Sequence, residues 1–313
     1  MHTMSTVRTT TPAIENDEET FRPITAALGE AACSRRGLRL YEGDCLDYLR
    51  RLPDALVSLT VTSPPYNIGK EYERPMALDD YLSWCESWMN ELLRITKPTG
   101  ALWLNLGYLQ VPGRAKALPI PYLLWQRIPF FIVQEVVWNY SAGVAAKRSF
   151  SPRNEKFLWC VKDPANYTFN LDDVRDNNVK YPRQKKNGRL KVNPAGKNPT
   201  DVWQIPKVTS GTGRASRERT RHPAQFPVAL IDRIVRACSD PNDLVLDPFM
   251  GSGSTAEACL MSGRAALGFE ISKEYLSISS ARIDRWLKVE ALRSQQGTLC
   301  AIKDDELTLV GLR

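Results

Sequence analysis

Leu244-Val245-Leu246-Asp247-Pro248-Phe249-Met250-Gly251-Ser252-Gly253-Ser254-Thr255 is a short apolar run that ends on an acid, turns through two glycines and opens into a helical pattern. Strand, tight turn and helix in that order put Asp247 at the carboxyl end of a strand, where open α/β sheets bind their ligands. Gly251 and Gly253 permit the turn and a close approach of backbone to ligand. Glu270 ends the next apolar run, 23 residues after Asp247. An acid at about that distance commonly accepts hydrogen bonds from ribose hydroxyls, which favours an adenosine-containing ligand. Two rivals fit less well. A phosphate-cradling P-loop needs a lysine beside Ser254 or Thr255, and a dinucleotide turn wants a third glycine where Ala256 stands. Taken alone, Gly-Ser-Gly also serves ordinary turns.

Working outward, strand and helix patterns alternate. Leu38, Leu40 and Tyr41 suggest a strand, Leu46, Leu49 and Leu52 a short helix, and Leu56 to Val61 a second strand. Leu78, Tyr81, Leu82, Cys85, Trp88, Met89, Leu92 and Leu93 recur at helical spacing, a face more suited to core than to ligand. Further strands are expected at Ala101 to Leu106, Phe130 to Trp138 and Lys156 to Val161, with a helix at Tyr122 to Arg127. After Pro227, a helix from Val228 to Cys238 leads to Leu244, then a helix through Ala258, a strand Ala265 to Phe269, and a helix from about Lys273 to Leu287. This alternation predicts an α/β fold with a doubly wound, mainly parallel sheet. Residues 1–36 read as a polar, flexible arm, 37–162 and 222–289 as two halves of one domain, 163–221 as an irregular basic insertion, and 290–313 as a weakly patterned tail.

Of 313 residues, 43% are hydrophobic and 25% charged, ordinary for a globular chain, and no apolar run approaches the roughly 18 residues of a membrane span. The arm lacks a continuous apolar stretch after a basic start, so a cytoplasmic enzyme is expected. Seven scattered cysteines without a C-x-x-C pair point to reduced, mostly buried thiols. With only His2 and His222, a metal site or a Ser-His-Asp triad would have to use His222, and neither is expected. The net charge is +7, but Lys180 to Arg221 alone hold twelve Lys and Arg against Asp201 and Glu218, so the rest of the chain is slightly acidic. One basic segment on such a body suggests a surface for a polyanion; a solvated loop without a partner is the alternative.

The strand Leu56 to Val61 delivers Thr62-Ser63-Pro64-Pro65-Tyr66 to its tip. An exocyclic amino group on cytosine or adenine is a poor nucleophile, because its lone pair is delocalised into the ring. Acceptors placed around its hydrogens draw the nitrogen toward tetrahedral geometry. Two prolines hold the backbone rigidly, leaving the carbonyl of Pro64 to accept, and the hydroxyl of Ser63 supplies a second acceptor. Tyr66 offers a flat face for a base rotated out of its helix. Alone, Pro64-Pro65 also serves simply to end a strand.

Together the two segments resemble the S-adenosylmethionine-dependent amino-methyltransferases of restriction–modification systems, which make N4-methylcytosine or N6-methyladenine in DNA. The order, with the tetrapeptide first, the basic segment next and the glycine turn last, looks like the circularly permuted β class, and the resemblance covers about Gly37 to Trp286. It implies a Rossmann-like methyltransferase sheet, S-adenosyl-L-methionine as cofactor, no metal, and catalytic Ser63, Pro64, Pro65 and Tyr66. Asp247, Pro248, Phe249, Gly251 and Gly253 would meet the methionine part of the cofactor with Ser254 and Thr255 beside them, Glu270 the ribose, and Asp44 the adenine side. His222-Pro223-Ala224-Gln225-Phe226-Pro227 resembles the segment that closes over the methionine end, with Phe226 the candidate contact. The insertion stands where the family carries its target-recognition region, so Lys180, Arg183, Lys185, Lys186, Arg189, Lys191, Arg214, Arg217, Arg219 and Arg221 are the candidate contacts to double-stranded DNA. A restriction endonuclease acting on the same site is the accompanying activity this class implies, without direct contact, and the class is compatible with a dimer.

Ser-Pro-Pro-Tyr is similar to the cytosine-N4 enzymes, whereas Asp-Pro-Pro-Tyr is commoner among adenine-N6 enzymes. The expectation is therefore cytosine N4, with adenine N6 as the alternative. Cytosine-C5 chemistry would need a cysteine after a proline, and no Pro-Cys pair occurs. An RNA or protein amino-methyltransferase would usually carry the glycine turn before the tetrapeptide. A non-catalytic DNA-binding module would have no use for both intact motifs.

Overall fold

The computed structural model describes residues 14–71, 73–140, 143, 145–208, 216 and 218–295. In chain order they form α1 (Asp17–Leu28), β1 (Cys33–Arg35), β2 (Leu38–Glu42), α2 (Cys45–Leu49), β3 (Val57–Thr62), α3 (Leu78–Ile95), β4 (Thr96–Leu106), β5 (Tyr108–Val111), β6 (Ala115–Pro119) and α4 (Ile120–Leu124). There follow β7 (Phe131–Asn139), β8 (Asn154–Val161), β9 (Lys185–Lys186), β10 (Arg189–Leu190), β11 (Val202–Gln204), α5 (Val228–Cys238), β12 (Leu244–Asp247), α6 (Ser254–Met261), β13 (Ala265–Glu270) and α7 (Lys273–Gln295). No described helix is long and apolar enough to cross a membrane.

Nine strands make one sheet in the order β1-β2-β13-β12-β3-β4-β8-β7-β11. The five from β2 to β4 are mutually parallel. Beyond them β8 runs antiparallel to both β4 and β7, and β11 lies parallel to β7. β12 and β13 are buried along their whole length, which is why they read as near-continuous apolar runs. The α1–α4 side packs Phe21, Leu49, Trp88 and Leu124 on Leu102, Leu104, Leu246 and Leu267. The α5–α7 side packs Ile231, Ile234, Cys259 and Ile283 on Leu59, Val61 and Val245. The sheet is thus doubly wound, as expected.

Two crossovers fix where a ligand can sit. From β3 the chain passes through α3 to β4 on one side; from β12 it passes through α6 to β13 on the other. β3 and β12 are parallel neighbours, with Val245 opposite Leu59 and Leu246 opposite Thr60. Their carboxyl ends therefore open a crevice at the point where strand order reverses. Ser63 follows one of these strands and Asp247 ends the other.

The described part of the N-terminal segment, residues 14–36, is not simply a polar arm. Phe21, Ile24 and Leu28 recur on one face of α1 and are buried. Asp17 accepts from the backbone of Gly37 and pairs with Arg39 at 3.0 Å, and the Arg39 guanidinium lies 4.3 Å from the centre of the Phe21 ring. Nor is 163–221 wholly separate, since β11 joins the sheet and its buried Trp203 stacks on Trp103 at 5.5 Å. Between these anchors, β9 and β10 form a small hairpin across Asn187-Gly188. Both turn residues have positive φ, 51° and 76°, as a two-residue hairpin turn requires. α7 runs past residue 289 to Gln295, so the start of the expected tail is helical.

Candidate active site

A cleft of about 1170 Å³ opens at the crevice between β3 and β12. It is lined by every expected catalytic and cofactor residue except Gly253. A buried knot holds the two halves together. Asp247 accepts from Thr62 Oγ1 (2.8 Å) and Phe249 N (3.1 Å) on one carboxylate oxygen, and from Thr255 Oγ1 (2.6 Å) on the other. Burial pushes the Asp247 carboxyl up to about 6, against the opposing effect of those hydrogen bonds.

In the tetrapeptide, hydrogen-bond geometry determines which acceptors face the cleft. Tyr66 donates its single hydroxyl proton to Asn105 Oδ1 at 2.6 Å, and Asn105 Nδ2 donates to Lys156 O at 3.2 Å, fixing the amide. Ser63 Oγ, 2.8 Å from the Tyr66 oxygen, must then be the donor of that pair, which leaves its own lone pairs as acceptors. The carbonyl of Pro65 is taken by Tyr81 Oη at 2.9 Å, whereas that of Pro64 accepts from no donor among the described residues. The Tyr66 ring lies against Gly107, where an added Cβ would come within 2.6 Å of Cε2. Glu73 accepts from the backbone N–H groups of Tyr66, Ile68 and Lys70 and so shapes the following loop.

The glycine turn is fixed against the cleft from several sides. Gly251, with φ 53°, sits under His222, whose Nε2 would be 2.9 Å from an added Cβ. His222 Nδ1 accepts from Ala224 N, burial pushes its pKa down, and its ring packs edge-on to Tyr275 at 4.4 Å. Gly253 does not line the cleft; its φ of 79° and the close approach of Ser279 on α7 account for the glycine. Ser254 and Thr255 spend their hydroxyl protons inside the protein, on Phe226 O (2.8 Å) and Asp247, and therefore brace the site. Glu270 accepts from Gly251 N and Ser272 N, each at 2.8 Å, and burial raises its pKa. Asp44 caps α2 through Leu46 N at 2.7 Å, and a bond from Gly43 N to Glu270 O brings the two acids to one end of the cleft. Phe249 packs on Trp84 and Trp88, and Phe226 on Trp138 and Phe157.

Lys180, Arg183, Lys185, Lys186, Arg189 and Lys191 are all exposed on or beside the β9–β10 hairpin, and Arg219 and Arg221 are exposed near the cleft. Arg214 and Arg217 lie outside the described residues. Two other lysines of the segment are paired, Lys197 with Asp176 and Lys207 with Glu155. The six described cysteines are free and buried. Cys45 alone of them lines the cleft, and burial pushes its thiol well up, so it offers no ready thiolate. Sequence reasoning missed Asn105, Gly107, Glu73 and Tyr81. Only Asn105 carried a signal, as the polar residue in an otherwise apolar strand pattern.

A family model described as DNA methylase, for N6 and N4 methyltransferases, matches residues 57–281. The chain is 58% identical to the type II methyltransferase M.ScaI of Streptomyces caespitosus over 261 residues, covering 83% of this chain and 86% of that one. It is 33% identical to the DNA adenine methyltransferase YhdJ of Escherichia coli K12, covering 78% of this chain and 82% of the relative. In structure it is similar to the cytosine-N4-specific PvuII DNA methyltransferase, with a TM-score of 0.63 at 21% identity, over 82% of this chain and 92% of that one. The paired motifs at the switch point and these similarities lead to one conclusion: the chain belongs to the DNA methylase family of N6 and N4 amino-methyltransferases.

Proposed function

We propose that this DNA methyltransferase modifies the N4 amino group of a cytosine rotated out of double-stranded DNA, as the protective activity of a cytoplasmic restriction–modification system. The observation that carries the reading is the pair of unspent acceptors, Ser63 Oγ and Pro64 O, beside the Tyr66 ring. The residues at the other end of the cleft fit S-adenosylmethionine. Gly251 leaves no space for a side chain, Asp44 and Glu270 offer carboxylate oxygens to hydroxyls, and Phe249 and Phe226 give apolar walls. When bound, that cofactor supplies an electrophilic methyl group on a sulfonium centre.

The chain's own residues prepare the nucleophile. Ser63 Oγ and Pro64 O accept from the two amino hydrogens, pulling the nitrogen lone pair out of conjugation and stabilising the positive charge that develops there. Tyr66 holds the base by stacking, worth about 1–3 kcal/mol. Asn105 keeps the Tyr66 proton, and hence the Ser63 proton, turned away from the base.

Incubating unmethylated DNA with the protein and S-adenosylmethionine, and resolving the nucleosides by mass spectrometry, tests the reading. N4-methylcytosine is the expected product; N6-methyladenine alone would reverse the base. That second reading is favoured by the 33% identity to an adenine methyltransferase, and both bases present an amino donor beside a ring acceptor.

The basic hairpin fits the DNA backbone. A two-stranded ribbon is among the elements a major groove admits. Replacing Lys185, Lys186, Arg189 and Lys191 by Gln should remove about four phosphate contacts, and with them up to ~3–4 units from the slope of log affinity against log salt. An unchanged slope in a filter-binding titration would place the DNA surface elsewhere. A cognate endonuclease and a dimer are both compatible with this reading.

A further inference from the structure

One ion pair in the cleft has no part in the mechanism above. Lys207 Nζ lies 3.0 Å from Glu155 Oε1 and 3.7 Å from the centre of the Tyr140 ring, and both Lys207 and Glu155 line the cleft together with Trp138. Its position is fixed rather than incidental. Trp138 Nε1 donates to Ile205 O at 2.7 Å, and Ile205 N donates to Asn139 O at 3.2 Å, so the segment leading to Lys207 is fastened across the end of β7. Trp138 stands directly opposite Glu155 in the β7–β8 register. Burial alone would lower the Lys207 pKa, but Glu155 and Tyr140 outweigh it and raise the value, so the group is a held cation.

The sheet order relates this cation to the reacting centre. From Ser63 just beyond the end of β3, the neighbouring strand β4 carries Asn105, and the next, β8, carries Glu155. Phe157 pairs with Asn105 across β4 and β8, and Glu155 lies two residues along β8 on the same face. Two strand spacings are roughly 10 Å, about the span of a pyrimidine ring with a hydrogen bond at each end. With the amino group held at Ser63 and Pro64, a base lying along this line would turn the far end of its Watson–Crick edge toward Lys207. Cytosine presents there, in order, the N4 donor, the N3 acceptor and the O2 carbonyl. Adenine presents the N6 donor and the N1 acceptor, and then only a C–H.

We infer that Lys207, positioned by Glu155 and Tyr140, donates to the O2 carbonyl of the flipped base and so selects cytosine over adenine. The inference rests on the cytosine reading proposed above and adds its means of discrimination. Losing a hydrogen bond between a charged donor and a buried carbonyl costs about tenfold to a hundredfold.

The test uses the full chain, saturated with S-adenosylmethionine, in single turnover on plasmid DNA from a methylation-deficient host. N4-methylcytosine and N6-methyladenine are both counted, and cofactor affinity is measured by calorimetry. For Lys207→Met the expected result is a tenfold to hundredfold slower appearance of N4-methylcytosine, a raised ratio of adenine to cytosine product, and cofactor affinity within about threefold of wild type. Lys207→Arg should recover part of the rate. An unchanged rate and product ratio in Lys207→Met, with wild type still making N4-methylcytosine, would overturn the lysine's role while leaving the cytosine reading intact. A loss matched by an equal loss of cofactor affinity and not relieved by Lys207→Arg would also overturn it, as the mark of a merely structural pair. Wild type making only N6-methyladenine would remove the cytosine reading and this inference together.

Discussion

Ser63→Ala should slow single-turnover methyl transfer by about 10²- to 10³-fold, the scale of removing one preorganised partner from a developing charge, while S-adenosylmethionine affinity stays within a few-fold. The contrast follows from where the serine's bonds go. Its proton runs to Tyr66 and on to Asn105, within the catalytic half, and its lone pairs face the cleft; no bond connects it to the glycine turn. Tyr66→Phe separates the roles in that chain. The ring still lies on Gly107 and still stacks, but Ser63 loses the oxygen that takes its proton and must turn toward Asn105 Oδ1, 3.4 Å away. A smaller loss, about tenfold, is expected, in keeping with one weakened hydrogen bond. Tyr66→Ala removes stacking as well and should fall close to Ser63→Ala. Rapid-quench transfer of a labelled methyl group, paired with calorimetric cofactor binding, measures both quantities. Full activity in Ser63→Ala would dismiss the serine as an acceptor, and a parallel fall in cofactor affinity would show that it supports the cofactor half instead.

Local patterns made the two motifs and nearly all the long elements legible, because burial on both faces of a parallel sheet leaves apolar runs such as Leu244 to Leu246 and helical stripes such as Tyr81 to Leu92. Strand neighbours were not legible. That β12 sits beside β3, so that Thr62 can bond to Asp247, depends on contacts between residues 185 positions apart, and periodicity reports only which face of an element is buried. The same limit hid Asn105, whose neighbours in sequence are all apolar and whose partners, Ser63 and Tyr66, lie on another strand's tip. Lys207 looked like one more cation of a basic segment; only the fold shows that, unlike the exposed Lys185 and Arg189, it turns inward onto Glu155. The arm was misread because Thr and acidic residues dominate its composition and Pro23 interrupts it. The spacing of Phe21, Ile24 and Leu28, behind an acidic first turn, was nevertheless a helix signal. Gly253 shows the converse limit: the sequence offered only a ligand as the reason for that glycine, whereas the fold adds a second, its positive φ and the approach of α7.

Asp247 offers the second large effect, because replacing it by Ala and by Asn should have opposite consequences for stability. Asp247→Ala leaves Thr62 Oγ1, Thr255 Oγ1 and Phe249 N buried without their acceptor, at about 1–3 kcal/mol for each unsatisfied group before relaxation. A net loss of about 3–5 kcal/mol is expected, together with loss of cofactor binding, since the turn and the start of α6 are no longer tied to β3. Asp247→Asn keeps the oxygen that serves Thr62 and Phe249, and its amide can donate to the Thr255 hydroxyl. It also removes a buried charge. In the folded protein burial holds the Asp247 carboxyl up at about 6, above its ordinary value of 3.8. A folded acid with a raised pKa binds its proton more tightly than the unfolded chain does. Its contribution to stability therefore falls as pH rises between about 4 and 6, and the full cost, about 3 kcal/mol, persists above that window. Burial raises the Glu270 pKa with the same sign, so subtracting the Asn variant from wild type is what isolates Asp247. Urea unfolding from pH 4 to pH 8 should show the wild-type-minus-Asn difference declining through that window and then levelling. At pH 7.5 the Asn variant should be no less stable than wild type and the Ala variant several kcal/mol less. A difference that does not vary with pH would mean that folding leaves the Asp247 pKa at its ordinary value, its three hydrogen bonds fully offsetting burial.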